Sequence, residues 1–133
     1  MTQSLNVRKI AGLAFVAAVV NSIIFLIAKG ANATMVVNQP GVQVIALPMV
    51  AASTLFGLVV AAVIANLIGK ISQGFISKSP IIGLVFGVLT AAAPFFASDD
   101  SKTALTLASM HVVAGMTWYL GAKSSIKNRG NNE

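Results

Sequence analysis

Long uncharged apolar runs alternate with short charged gaps along the whole chain. The first run extends from Ile10 to Ala28, between Lys9 and Lys29. The second covers residues 44–68 and ends at Gly69-Lys70. The third runs from Pro80 to Ala97, between Lys78 and Asp99, and the fourth from Thr103 to Ala122, between Lys102 and Lys123. A helix rises about 1.5 Å per residue, so roughly 20 apolar residues cross the ~30 Å hydrocarbon core of a bilayer. Each run is about that long, and none carries the polar face that a soluble bundle helix turns to water. The pattern predicts an all-α fold: one transmembrane domain over residues 1–133, a four-helix bundle of up-down topology. Pro48 and Pro80 are expected in first turns, where the missing N–H costs little.

Composition supports this reading. Hydrophobic residues make up 56% of the chain and charged residues 9%, against about 25% charged in a soluble domain. The net charge of +6 is confined to the gaps, so it orients the chain rather than forming a basic face, and no nucleic-acid partner is expected. The expected partners are the lipid bilayer and either a second copy or another membrane protein. With no cysteine, disulfides, thiolate metal sites and cysteine nucleophiles are excluded. No metal or cofactor is implied.

Arg8 and Lys9 before the first run, with Ala31-Asn32-Ala33 after it, also resemble a cleavable signal peptide. The apolar core exceeds the 7–15 residues typical of such segments, and Lys29 would lie between core and cut. An uncleaved span is expected. The cations then sort by side. Arg8, Lys9, Lys70, Lys78, Lys123, Lys127 and Arg129 share one side, while Lys29 and Lys102 share the other. Cytoplasmic loops carry the Lys/Arg excess, so both termini are expected in the cytoplasm, at the cell (inner) membrane. The outer loop, residues 29–43, contains Asn38-Gln39-Pro40-Gly41, which reads as a turn. Met35-Val36-Val37 and Val42-Gln43-Val44 flank it and could pair. Asn32-Ala33-Thr34 matches a glycosylation sequon by chance. Trp118 and Tyr119 are expected to anchor the last helix at the interface, and Asp99 and Asp100 to cap its start.

Small residues let membrane helices approach closely. Gly83 and Gly87 form a GxxxG pair; Gly57, Ala61 and Ala65 form a stripe; Ala114 and Gly115 add to the last span. A faint echo links Ile10–Phe15 with Ile81–Phe86, and residues 59–70 with 112–123, as two hairpins of a parallel repeat would.

Polar groups in a membrane face the bundle interior. Asn21, Ser53, Thr54, Thr90 and His111 all fall roughly 10–15 Å below the expected outer surface. Pro94 cannot bond the Thr90 carbonyl, so a kink is expected there. His111 is the only histidine. It serves either a ligand or proton site, or a neutral tie to Asn21, Thr90 or Ser53. A metal site lacks further ligands at that depth.

The four-run layout, with the Met110-His111 pair after a Thr-rich start at Thr103 and Thr106, resembles a family of small bacterial four-span proteins classed as a domain of unknown function. That resemblance implies the same fold and no particular activity. No nucleophile–base pair, phosphate loop or intramembrane carboxylate dyad is present, so the chain is expected to be a non-enzymatic structural or accessory subunit. A small oligomeric transporter using the polar layer is the alternative. A quinone- or haem-linked protein using His111 is the third reading.

Overall fold

The computed structural model describes residues 2–38, 40–72 and 74–129; Gln39 of the expected turn lies outside them. The elements run β1 (Thr2–Leu5), α1 (Val7–Gly30), β2 (Val36–Val37), β3 (Gln43–Val44), α2 (Leu47–Ile71), α3 (Phe75–Thr90), α4 (Pro94–Ala97), α5 (Ser101–Ser125) and β4 (Ile126–Arg129). Among the described residues, three helices are long and apolar enough to cross a membrane: α1, α2 and the broken helix Phe75–Ala97. The sequence predicts four such helices; the fourth, α5, does not meet that measure. α5 is as long as α2, but Thr103, Thr106, Ser109, His111 and Thr117 dilute its apolar character.

Helix ends follow capping chemistry rather than the edges of the uncharged runs. Asn6 accepts from Lys9 N and starts α1 ahead of Arg8 and Lys9. The Asp100 carboxylate accepts from Lys102 N and starts α5, satisfying an orphan N–H and placing negative charge at a positive helix end. Pro80 is not in a first turn, because α3 begins at Phe75. An interior proline leaves the carbonyl four residues back without its donor; here the Ser79 hydroxyl donates to Ile76 O at 2.8 Å. The chain breaks at residues 91–93 before Pro94, and Ala93 N bonds the freed Thr90 carbonyl at 3.1 Å.

The closest helix pairs are the hairpins α1–α2 and α3–α5, joined along α1–α5, while α2 meets α3 sparsely and α5 more sparsely still. In α3–α5 the backbones nearly touch. A Cβ on Gly87 would lie 2.7 Å from Gly115 Cα, and one on Gly83 would lie within the Trp118 ring. Trp118 is therefore no interfacial anchor: it is buried, and its indole N–H donates to Ser79 O at 2.7 Å. Tyr119 is half-buried, with Lys123 Nζ 3.2 Å from its hydroxyl.

Two apolar clusters fill the interior. One, toward the termini, includes Ile10, Ala14, Leu58, Ala62, Ile76 and Trp118. The other includes Phe25, Met35, Val50 and Met110. The outside is apolar as well: Ile27, Phe86, Leu89 and Phe96 are each more than 60% exposed. A monomer in water rarely shows so much contiguous apolar surface.

Both ends of the bundle are closed by short strand pairs. β1 and β4 pair antiparallel, Leu5 opposite Ile126, so the first and last strands lie side by side. Asn66, assigned no role from sequence, clamps β1: it accepts from Leu5 N at 2.7 Å and donates to Leu5 O at 3.0 Å. At the far end β2 pairs with β3, and the loop is strapped to the start of α5. Asp100 accepts from Thr103 Oγ1 (2.7 Å), Thr34 N (2.8 Å) and Thr34 Oγ1 (3.1 Å). These donors, the Thr103 hydroxyl first and then the Thr34 N–H, hold its carboxyl well below the usual carboxylate range. Asn38 donates to Asp99 at 2.6 Å. Met35 is fully buried with φ 56, a left-handed conformation costly for such a side chain. Its N–H donates to Thr103 Oγ1 and its carbonyl accepts from Ile45 N.

Candidate functional site

Asn21 projects from the middle of α1 between the two apolar clusters and is 2% exposed. A buried amide needs partners. Its Nδ2 donates to Thr54 Oγ1 on α2 at 3.0 Å and to Met110 O on α5 at 3.5 Å. Asn21 thus ties three helices at one level. Its Oδ1 is buried without a partner, which offsets part of that gain.

A pocket of about 390 Å³ lies beside this tie, between α2 and α5. Its polar lining is Ser53, Thr54 and His111. Met49, Val50, Leu107, Met110 and Ala114 form the apolar walls, with Ile45 from the preceding loop. Residues 49, 50, 53 and 54 share one face of α2 as two adjacent i, i+4 pairs, and 107, 110, 111 and 114 share one face of α5 at i, i+3, i+4 and i+7. The apolar wall residues were missed in the sequence, although that spacing around Ser53 and His111 marks them.

His111 makes no bond to Asn21, Thr90 or Ser53, which corrects the expected tie between helices. Its Nδ1 lies 2.7 Å from Leu107 O on its own helix. A carbonyl only accepts, so Nδ1 carries the proton; in the neutral ring Nε2 on the opposite edge is then an acceptor. Among the described residues Nε2 has no hydrogen-bond partner. Ser53 donates to Val50 O at 3.2 Å. The Thr54 hydroxyl accepts from Asn21, and its own proton meets no acceptor among the described residues. The polar lining therefore offers one donor, on Thr54, and an acceptor on His111.

Thr90 takes no part in the site. Its hydroxyl bonds Phe86 O at 2.8 Å and Gly87 O at 3.2 Å, within α3. Of the small residues, Gly83 and Gly87 lie in the α3–α5 contact, whereas Gly57 is exposed, with open space where a Cβ would be. Ala61 is half-buried, and the buried small positions of α2 are Ala62 and Ala65. A second pocket, about 290 Å³ between α1 and α5, presents Thr106 and Ser109. Both hydroxyls there already donate to backbone carbonyls.

Residues 2–128 match the model of a family described as "Family of unknown function (DUF6069)". No curated protein and no solved structure matches the chain.

Proposed function

We propose, from the premise that the chain belongs to this family of unknown function, that it is a four-span protein of the cell (inner) membrane with a structural or accessory role. The single observation that carries the four-span reading is the β1–β4 pairing. It holds the first and last strands at one end of the bundle, which supports an even number of crossings. Three helices are apolar enough to cross unaided. α5 packs against α3 and α1 along its length, so it crosses with them, its polar side chains screened by its neighbours. The cation excess at the terminal end favours the cytoplasm for that side. A non-enzymatic role is favoured by how the polar groups are used: the Asn21 amide joins helices, and the remaining hydroxyls mostly cap their own backbone. A transporter would need polar groups continuing past His111, but toward the termini the interior is Leu58, Ala62, Ile76 and Trp118.

Since the chain lacks cysteine, single-cysteine variants report sidedness without background. An impermeant maleimide should label Gly41→Cys in intact cells, and Ser72→Cys and Ser124→Cys only after lysis. Labelling of position 124 from outside, together with position 41, would mean that α5 does not cross and the reading fails.

A further inference from the structure

We propose that the α2–α5 pocket binds a neutral, lipid-borne molecule through a hydroxyl group, with His111 Nε2 as acceptor and the Thr54 hydroxyl as donor. The proposal rests on the membrane reading above, since it takes the pocket to lie at hydrocarbon depth.

Two hydrogen bonds lead to it. The tautomer of His111 is set by its own helix: Nδ1 is tied to Leu107 O, leaving Nε2 as an open acceptor. A polar atom facing hydrocarbon without a partner is costly, so an occupant with a donor is favoured over an acyl chain alone. Thr54 complements it, because Asn21 fills one lone pair of its hydroxyl and holds the side chain in place. A single hydroxyl on a ligand can donate to Nε2 and accept from Thr54 at once.

Charge and access narrow the class further. No Lys, Arg, Asp or Glu lines the pocket, so an ionic headgroup would be buried without a counter-charge. α3 supplies no lining residue, and α2 meets both α5 and α3 only sparsely. The pocket thus opens sideways toward lipid rather than toward water. Its volume of about 390 Å³ falls at the lower end of small-ligand sites, roughly 300–1,000 Å³. That space takes a ring or chain end, and a longer tail would lie along the exposed apolar flank of α2, where Met49 and Phe56 are uncovered. Quinols, phenols and long-chain alcohols share this chemistry.

Because His111 is the only histidine, one isotope-labelled side chain reads the site. The protein is reconstituted in lipid nanodiscs with nitrogen-labelled histidine and titrated with para-nonylphenol, then with its methyl ether, which lacks the donor. The unliganded spectrum should show the Nδ1–H tautomer. The phenol should move the Nε2 resonance saturably, and the ether should need about tenfold more, the worth of one hydrogen bond. Ala114→Leu, which adds bulk to the pocket wall, should weaken the phenol at least tenfold. Equal titration by phenol and ether in the unaltered protein, or a proton on Nε2 at rest, would overturn the proposal whatever the variant does. Failure of the membrane reading is distinct: the protein would not co-elute with the discs. Failure of the ligand proposal leaves it in the discs with a phenol-insensitive His111.

Discussion

Gly87→Ala adds one methyl group where two backbones meet. The new Cβ would sit 2.7 Å from Gly115 Cα, 3.1 Å from Gly115 N and 3.1 Å from His111 O. Carbon atoms pack comfortably at about 3.5–4.0 Å, so α3 and α5 must part by roughly 1 Å. No rotamer change relieves this, because the three nearest neighbours are all backbone atoms. Overpacking of this kind costs about 1–3 kcal/mol. Replacing a helical glycine also recovers about 0.5–1 kcal/mol of backbone entropy, leaving a net loss of about 1–2 kcal/mol. Gly57→Ala is the matched control. Nothing lies within 4 Å of its Cβ position, so only the gain of about 0.5–1 kcal/mol remains. The two identical chemical changes should therefore differ by about 2 kcal/mol, near thirtyfold in the unfolding equilibrium. Denaturation in mixed detergent micelles, followed by fluorescence of the sole tryptophan, Trp118, reads the affected interface directly. Equal stability of the two variants, or a Gly87→Ala protein at least as stable as the parent, would refute the close α3–α5 approach.

Two further outcomes follow from the hydrogen-bonding pattern. Thr54→Val should cost about 1–3 kcal/mol, because it strands one of the two Asn21 Nδ2 protons in the interior, Met110 O keeping only the other; Asn21→Leu, which removes the whole buried amide including its unpartnered Oδ1, should cost less in the same detergent melt. A reversed order would mean that the amide has partners elsewhere. The Asp100 carboxyl is held below its ordinary value near 3.8, so its contribution is fully present above that pH and is lost as pH falls through it toward the folded value. The Thr34 and Met35 amides should be protected from hydrogen exchange at neutral pH, and their protection, relative to the intrinsic rate at each pH, should fall as the solution is acidified below about 4. Asp100→Ala should expose Thr34 at neutral pH, and an unchanged exchange rate there would argue against the strap.

The location of the helices was legible because charge cannot be left in hydrocarbon, and uncharged runs of spanning length are conspicuous. Their ends were less legible. α1 begins at Val7, not Ile10, because Asn6 supplies a cap that draws Arg8 and Lys9 into the first turn. α3 begins at Phe75 and passes through Pro80, because Ser79 satisfies the carbonyl that the proline abandons. The site was legible in part. Asn21, Thr54 and His111 stand at one depth by residue count alone, and the fold brings them to one side of the bundle. Thr90 shares that depth, but its hydroxyl returns to its own helix. Depth is a one-dimensional property of each helix, whereas a site also needs the right rotation about its axis.

The sequence by itself determined that this chain belongs in lipid, where its helices fall and which small residues were available for close packing. Those features depend on local composition and on the cost of moving charge out of water. Tertiary structure alone decided the rest. It set Trp118 against Gly83 rather than at the interface and joined Thr2–Leu5 to Ile126–Arg129 across the full length of the chain. It also left α2 and α5 only sparsely in contact, so that a pocket forms between them at His111. Each of these depends on which faces of different helices meet, and in a uniformly apolar sequence hydrophobic periodicity does not mark those faces.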